Sequence, residues 1–140
     1  MHLIILGNPR PLKRHRHSRW GTYDPSKKEK DDFARKVKSE YPDKPLENPL
    51  FVTLHFFLKR PKSHYGTGKN SHIVKESSPK EHMTKPDVDN LIKFVLDSCN
   101  EILWTDDRII TILLSRKYYV DDGFSRTEII VTDLKNEPNV

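Results

Sequence analysis

Apolar positions recur along this chain with two different periods, and those periods mark its elements. Residues 2–6 form a short apolar run ended by Gly7-Asn8-Pro9. The prolines at 9 and 11 would deny a ladder two donors, so a strand is predicted first and an extended loop after it. Phe33, Val37 and Tyr41 then recur every four residues behind Pro25, with Ser26 and Glu29 in capping-box spacing. This predicts an amphipathic helix with a basic outer face that stops before Pro42. Leu50–Leu58 is rich in aromatic and branched residues and predicts a strand. Over 89–102, Leu91, Ile92, Val95, Leu96, Cys99 and Ile102 follow the helical period, which predicts a helix with one buried face. Ile109–Tyr118 and Thr127–Val131 read as strands joined as a hairpin through Asp121-Asp122-Gly123.

The order strand, loop, helix, strand, loop, helix, strand, strand, without internal repeats, predicts an α/β (α+β) fold. It is expected as a small single domain over residues 1–140, with a mixed, largely antiparallel sheet packed against at least two helices. A chain of 140 residues is long enough to bury a core of its own. Periodicity vanishes over 59–86, where Lys59, Arg60, Lys62, Lys69, Lys75, Lys80 and Lys85 accompany three prolines and two glycines. That composition predicts a long basic loop, mobile from about residue 60 to 84 or functional, as loops of this length are in compact domains. Gly66-Thr67-Gly68-Lys69 lacks the glycine spacing of a nucleotide-binding loop, so it argues against a nucleotide hydrolase.

Charge sharpens this picture. There are 25 Lys and Arg against 20 Asp and Glu, a net +5, but the two signs are segregated. Arg10, Lys13, Arg14, Arg16 and Arg19 lie together with no acid between them, whereas residues 86–107 hold six acids against Lys93 alone. An acidic pocket in a basic chain suits a metal-dependent nuclease: carboxylates repel a phosphodiester unless a hard divalent cation stands between them, and Mg²⁺ takes such oxygen ligands. Asp87 and Asp89 sit two apart in an extended approach to the second helix, so both face one cation, and Asp89 or Asn90 is placed to cap that helix. Lys93 lies one turn beyond Asp89, on the same side. Asp106 and Asp107 follow the helix, about 20 Å further on, and reach the first pair only if the chain bends back or a second subunit supplies them.

The plainer alternative is that all four acids merely cap a helix and a turn, with Lys93 in a solvated ion pair to Asp89 or Asp97. The basic opening is best placed on phosphates, with Trp20 or Tyr23 stacking on an exposed base, because like charges without compensating acids repel one another unless a polyanion binds. Trp104 and Cys99 are expected in the interior. A sole cysteine excludes an intrachain disulfide and a cysteine zinc site, and fits a reducing intracellular compartment, the cytoplasm for a bacterial or phage chain. The apolar start is too short for a signal peptide, and no run approaches the roughly 20 residues that cross a bilayer, so no membrane partner is expected.

The stretch Lys85-Pro86-Asp87-Val88-Asp89-Asn90-Leu91-Ile92-Lys93, then Leu96-Asp97 and Trp104-Thr105-Asp106-Asp107, resembles the signature of the RusA family of Holliday junction resolvases. The opening Gly7-Asn8-Pro9-Arg10-Pro11-Leu12-Lys13-Arg14-His15-Arg16, with Tyr23-Asp24-Pro25, is similar to the start of that family. The resemblance implies a homodimeric, Mg²⁺-dependent endodeoxyribonuclease, with Mn²⁺ as a substitute, that resolves four-way DNA junctions by paired symmetric nicks leaving 5′-phosphate and 3′-hydroxyl ends. It implies Asp87, Asp89 and Asp107 as metal-binding catalytic acids, Lys93 as the essential lysine, and Asp106 and Asn90 as auxiliaries. DNA contacts are expected from Arg10, Lys13, Arg14, Arg16, Arg19, Lys69 and Lys85. Residues 59–86 look longer than the matching family segment, which leaves a nuclease for other branched DNA as one alternative; the basic segments would suit a non-catalytic structure-selective DNA-binding module just as well.

Overall fold

The computed structural model describes residues 1–121 and 123–136. A four-stranded mixed sheet in the order β1-β6-β4-β5 is built from β1 (His2–Leu6), β4 (Leu50–Leu58), β5 (Ile110–Tyr119) and β6 (Arg126–Asp133). β6 pairs antiparallel with both β1 and β4, and only the β4–β5 pair is parallel. Alternate residues of β4 decide where the core sits. Leu50, Val52, Leu54, Phe56 and Leu58 are all buried, while the residues between them are half-exposed. The two helices, α1 (Lys27–Glu40) and α2 (Val88–Cys99), cover the buried face, joined to each other by the edge-on contact of Phe33 with Phe94. The expected α/β class, mixed sheet and two packed helices are therefore what forms.

Four local expectations are corrected. The basic opening is not all loop: β2 (Arg16–Ser18) and β3 (Gly21–Tyr23) make a small antiparallel hairpin with Arg19-Trp20 at its tip, and Gly21 adopts the positive φ of 117° that the return requires. Ser26 does occupy the N-cap of α1, yet its side chain makes no capping bond. Its hydroxyl instead accepts the backbone N–H of Lys13, so the predicted capping box is absent. The second helix starts at Val88 with Asp87, rather than Asp89 or Asn90, at its N-cap, and ends at Cys99, three residues before Ile102. It stops there because Asn100 is extended and Glu101 turns left-handed at φ 66°. Finally, β5 and β6 do not form a hairpin: β4 lies between them, so the residue 121–123 connection crosses over one strand, with Asp122 outside the described residues. β4 holds the place between them with the longest buried row of the sheet, five alternate apolar residues against two in β1.

Residues 59–86 are organised around a buried guanidinium. The Arg60 side chain is 2% exposed, ion-paired with Asp121, donates to the Pro79 carbonyl and stands over the ring of Tyr119 at 4.7 Å. His64 and His82 pack against the same ring, each with its centroid 4.8 Å away. Two short 3₁₀ turns and an isolated bridge between Tyr65 and Val74 shape the rest. Gly66 belongs to this turn for a steric reason: a Cβ there would sit 2.7 Å from the Asn70 carbonyl oxygen. Gly66→Ala is therefore expected to destabilise the protein by about 1–3 kcal/mol, read as a lower urea midpoint; an unchanged midpoint would mean that the turn is not held as described.

His82 supplies a pH-dependent term. It is 8% exposed and its Nδ1 has no hydrogen-bond partner among the described residues. Burial first, and the Lys117 charge second, hold its pKa below the ordinary imidazole value. The unfolded chain then takes up a proton at higher pH than the folded one. The associated stability is present in full above the unfolded pKa of about 6.5 and is lost as pH falls toward the lower folded value. His82→Phe keeps the aromatic contact with Tyr119 and removes the titrating group. The difference in stability between wild type and His82→Phe should shift in favour of the variant on going from about pH 7.5 to pH 5; a pH-independent difference would contradict the assignment.

Candidate metal and DNA site

The two acid pairs are positioned by opposite ends of one αβ unit. Asp87 is the extended N-cap of α2; its carbonyl accepts the Leu91 N–H, while its carboxylate makes no capping bond. Asp89 is in the first turn, and its side chain meets only Lys93, at 3.9 Å, with both groups more than 60% exposed. Asp97 does not compete for that lysine, since it faces Lys30 at 3.7 Å. Two exposed carboxylates with free oxygen lone pairs, beside one ammonium at a helix N-terminus, fit a hard divalent cation and a nearby phosphate.

The second pair lies elsewhere. Asp106 accepts the backbone N–H of Arg108 at 2.9 Å and so caps the 3₁₀ turn Asp107–Ile109 that leads into β5. The side chain of Asp107 is half-buried and has no hydrogen bond or ion pair among the described residues. β5 then runs back along α2, and Lys117 near its far end donates to the carbonyls of Thr84 and Pro86, at the threshold of Asp87. The strand thus returns as sequence spacing demands, but Asp107 stands at its start and Asp87 at its finish, about 25–30 Å apart along the strand. In agreement, no group of three or more His, Cys, Asp or Glu side chains suited to a metal occurs among the described residues of one chain.

The basic opening adjoins the first pair. The Leu12 N–H donates to the Asn90 carbonyl, and a cleft of about 490 Å³ between Pro11-Leu12 and Lys85–Asn90 has Asp87 on its wall. Arg10 and Lys13 are not without compensating acids, as local composition suggests: Glu29 of α1 lies 3.6 and 3.3 Å from them, a contact invisible until the helix folds back. Arg14, just before the β2–β3 hairpin, and Arg16 and Arg19 on it stay exposed, with Arg19 over the ring of Trp20, itself 85% exposed. Lys69 is on the outer 3₁₀ turn, away from this cleft, and Lys85 is on the cleft wall. Nearby Asp24 has its pKa lowered chiefly by the hydrogen bond from Lys30, so it is a structural anion and not a further ligand. Trp104 and Cys99 are fully buried, as expected; the Trp104 indole donates to Asn100, and burial pushes the Cys99 thiol pKa far up.

A group that sequence reasoning missed as a unit is the set Lys59, Lys62, Lys85 and Tyr65, which line one basin beside Tyr119. The density of lysines in 59–86 was the available signal, but which of them converge depends on the fold around Arg60. No helix among the described residues is long and apolar enough to cross a membrane.

A family model described as Endodeoxyribonuclease RusA matches residues 6–132. A Bacillus subtilis (strain 168) protein named as the uncharacterized protein YqaN is 28% identical over 139 residues, which cover 93% of this chain and 94% of that protein. Because the family match runs from the end of β1 into β6 and takes in both acid pairs and Lys93, this chain belongs to the RusA endodeoxyribonuclease family.

Proposed function

We propose that the protein is a Mg²⁺-dependent endodeoxyribonuclease, able to use Mn²⁺, that resolves four-way DNA junctions by paired nicks, with residues 1–140 acting as one nuclease domain. The observation that carries this reading is the exposed Asp87–Asp89 pair beside Lys93, at the end of a cleft flanked by an otherwise basic surface. Asp87, Asp89 and Asp107 would hold the cation. When bound, it would neutralise the phosphodiester charge and lower the pKa of solvent near phosphorus. Lys93, 3.9 Å from Asp89, would meet the charge that develops on the phosphoryl oxygens, and Asn90 and Asp106 would act as auxiliaries through the backbone contacts they make at either end of the unit. Arg14, Arg16 and Arg19, with Arg10, Lys13, Lys69 and Lys85, would contact phosphates of the junction arms.

The separation of the acid pairs along β5 supports a homodimer with composite sites. β5 is an edge strand, and Thr111–Leu114 are exposed in an unbroken run, Leu114 to 56%, up to the point where Glu81 bridges Tyr118 and covers the edge. An isologous antiparallel pairing centred on that run would lay the start of one β5 against the finish of the other. It would bring Asp107 of each copy toward Asp87 and Asp89 of its partner. It would also cover an apolar edge that is otherwise a liability.

Two outcomes are expected. Asp89→Asn should lower Mg²⁺-dependent cutting of a strand-labelled four-way junction by about a thousandfold or more, with binding retained or strengthened because a charge facing phosphate is lost. Equal cutting in chelator and in Mg²⁺ would exclude metal chemistry, and strong cutting of linear duplex or unpaired nicks would exclude the resolvase assignment. Mixing inactive Asp89→Asn with inactive Asp107→Asn should restore nicking at about a quarter of the wild-type number of sites, since each mixed dimer holds one intact composite site. No recovery after subunit exchange would mean that each site forms within one chain.

A further inference from the structure

The basin over Tyr119 encloses about 930 Å³, more than the cleft beside Asp87, and the proposed function gives it no role. Its lining contains Lys59, Lys62 and Lys85 and no acidic residue. None of the three ammonium groups has a hydrogen-bond or ion-pair partner among the described residues, in contrast with Arg60 beneath them, which Asp121 neutralises. Three unpaired cations converging on one hollow repel each other and favour an anion there. The hollow is much larger than a phosphate needs and falls within the size range of organic ligand pockets. Tyr65 and His64, both half-exposed, supply flat walls between the lysines. Lys85 lines this basin and also the cleft that holds Asp87, so a strand leaving the acids passes directly into it.

We propose that this basin binds one nucleotide of an unpaired DNA strand, its phosphates on Lys59, Lys62 and Lys85 and its base against Tyr65. The proposal rests on DNA being the substrate. A paired duplex contacts a protein through convex ridges of phosphate and keeps its bases stacked; a concave basic hollow with an aromatic wall accepts a base only when it is unstacked, as at an opened branch point. The basin holds its shape without ligand because the Arg60 interactions with Asp121, Pro79 and Tyr119 fix its floor. Selectivity for a strand that has lost its partner would then reside in residues 59–65 rather than in the acids.

The test uses the full chain carrying Asp89→Asn, without metal, and fluorescence anisotropy with a short labelled oligothymidylate and a blunt duplex. Lys59 and Lys62 are exposed, so Lys59→Ala/Lys62→Ala should fold normally. It should bind the oligonucleotide about tenfold or more weakly, with a salt slope reduced by about 1.4, while duplex affinity falls by less than about threefold. Tyr65→Ala should also weaken oligonucleotide binding about tenfold, but with the salt slope unchanged. Equal losses on duplex and oligonucleotide would replace the nucleotide pocket by a general phosphate surface, and unchanged oligonucleotide binding would remove DNA from the basin; either overturns the proposal. Competition by thymidine monophosphate as effective as by the oligonucleotide would make it a free-nucleotide site and overturn it too. A wild-type protein that cuts no DNA in Mg²⁺ yet shows these losses would keep the basin and refute the nuclease reading instead.

Discussion

Burial of the inner face of β4 against α2 is the constraint from which the site geometry follows. Five alternate side chains of β4 are buried, and Leu91, Val95 and Cys99 of α2 close over them. A helix of 12 residues lying on that face is about 18 Å long, so the chain must exit at one end of the sheet and return along β5 to rejoin it. The parallel register of β5 on β4 leaves no freedom in where the return begins. Asp106 and Asp107 are thereby held at one end of the unit, and Asp87 and Asp89 at the other. Moving either pair toward its counterpart would require breaking the core.

The electrostatics follow from that separation. Three or four carboxylates gathered without a cation would repel one another, and each copy avoids this cost by keeping the pairs apart. A shared site forms only when two edges meet, so assembly and metal affinity are coupled in the proposed dimer. The surrounding positive charge is partly quenched within the chain, by Glu29 at Arg10 and Lys13 and by Asp121 at Arg60. What stays unpaired lies on the β2–β3 hairpin and around the basin over Tyr119, where the proposed reading has DNA bind.

Much of the fold was legible from local pattern. β1 and β4 were predicted at their observed bounds and α2 to within three residues, because each has a strong period and a turn or proline at its limit. The sheet order was not legible: the turn-rich residues 121–123 suggest a hairpin, whereas β4, with the longest buried row, lies between β5 and β6 through pairings far apart in sequence that no local pattern records. Of the candidate site, the residue types and the Asp89–Lys93 pair were readable from i,i+4 spacing, but the extended alternation expected of Asp87 and Asp89 does not form, because the helix already begins at Val88 and takes Asp89 into its first turn. Contacts between distant segments were not, as with Glu29 reaching back to Lys13, or Arg60 drawing Asp121, Pro79 and Tyr119 into one knot.

The central claim is that one chain cannot complete the metal site and that pairing of β5 edges does so. Its most direct measurement is Mn²⁺ binding by electron paramagnetic resonance across a range of protein concentrations, for wild type and for Ile112→Lys, which sets two lysines against each other across the proposed two-fold axis. Affinity for Mn²⁺ should rise with protein concentration in step with dimer formation measured by sedimentation, and should be weak at every concentration where Ile112→Lys is monomeric. Tight binding by a monomer, independent of concentration, would contradict the account.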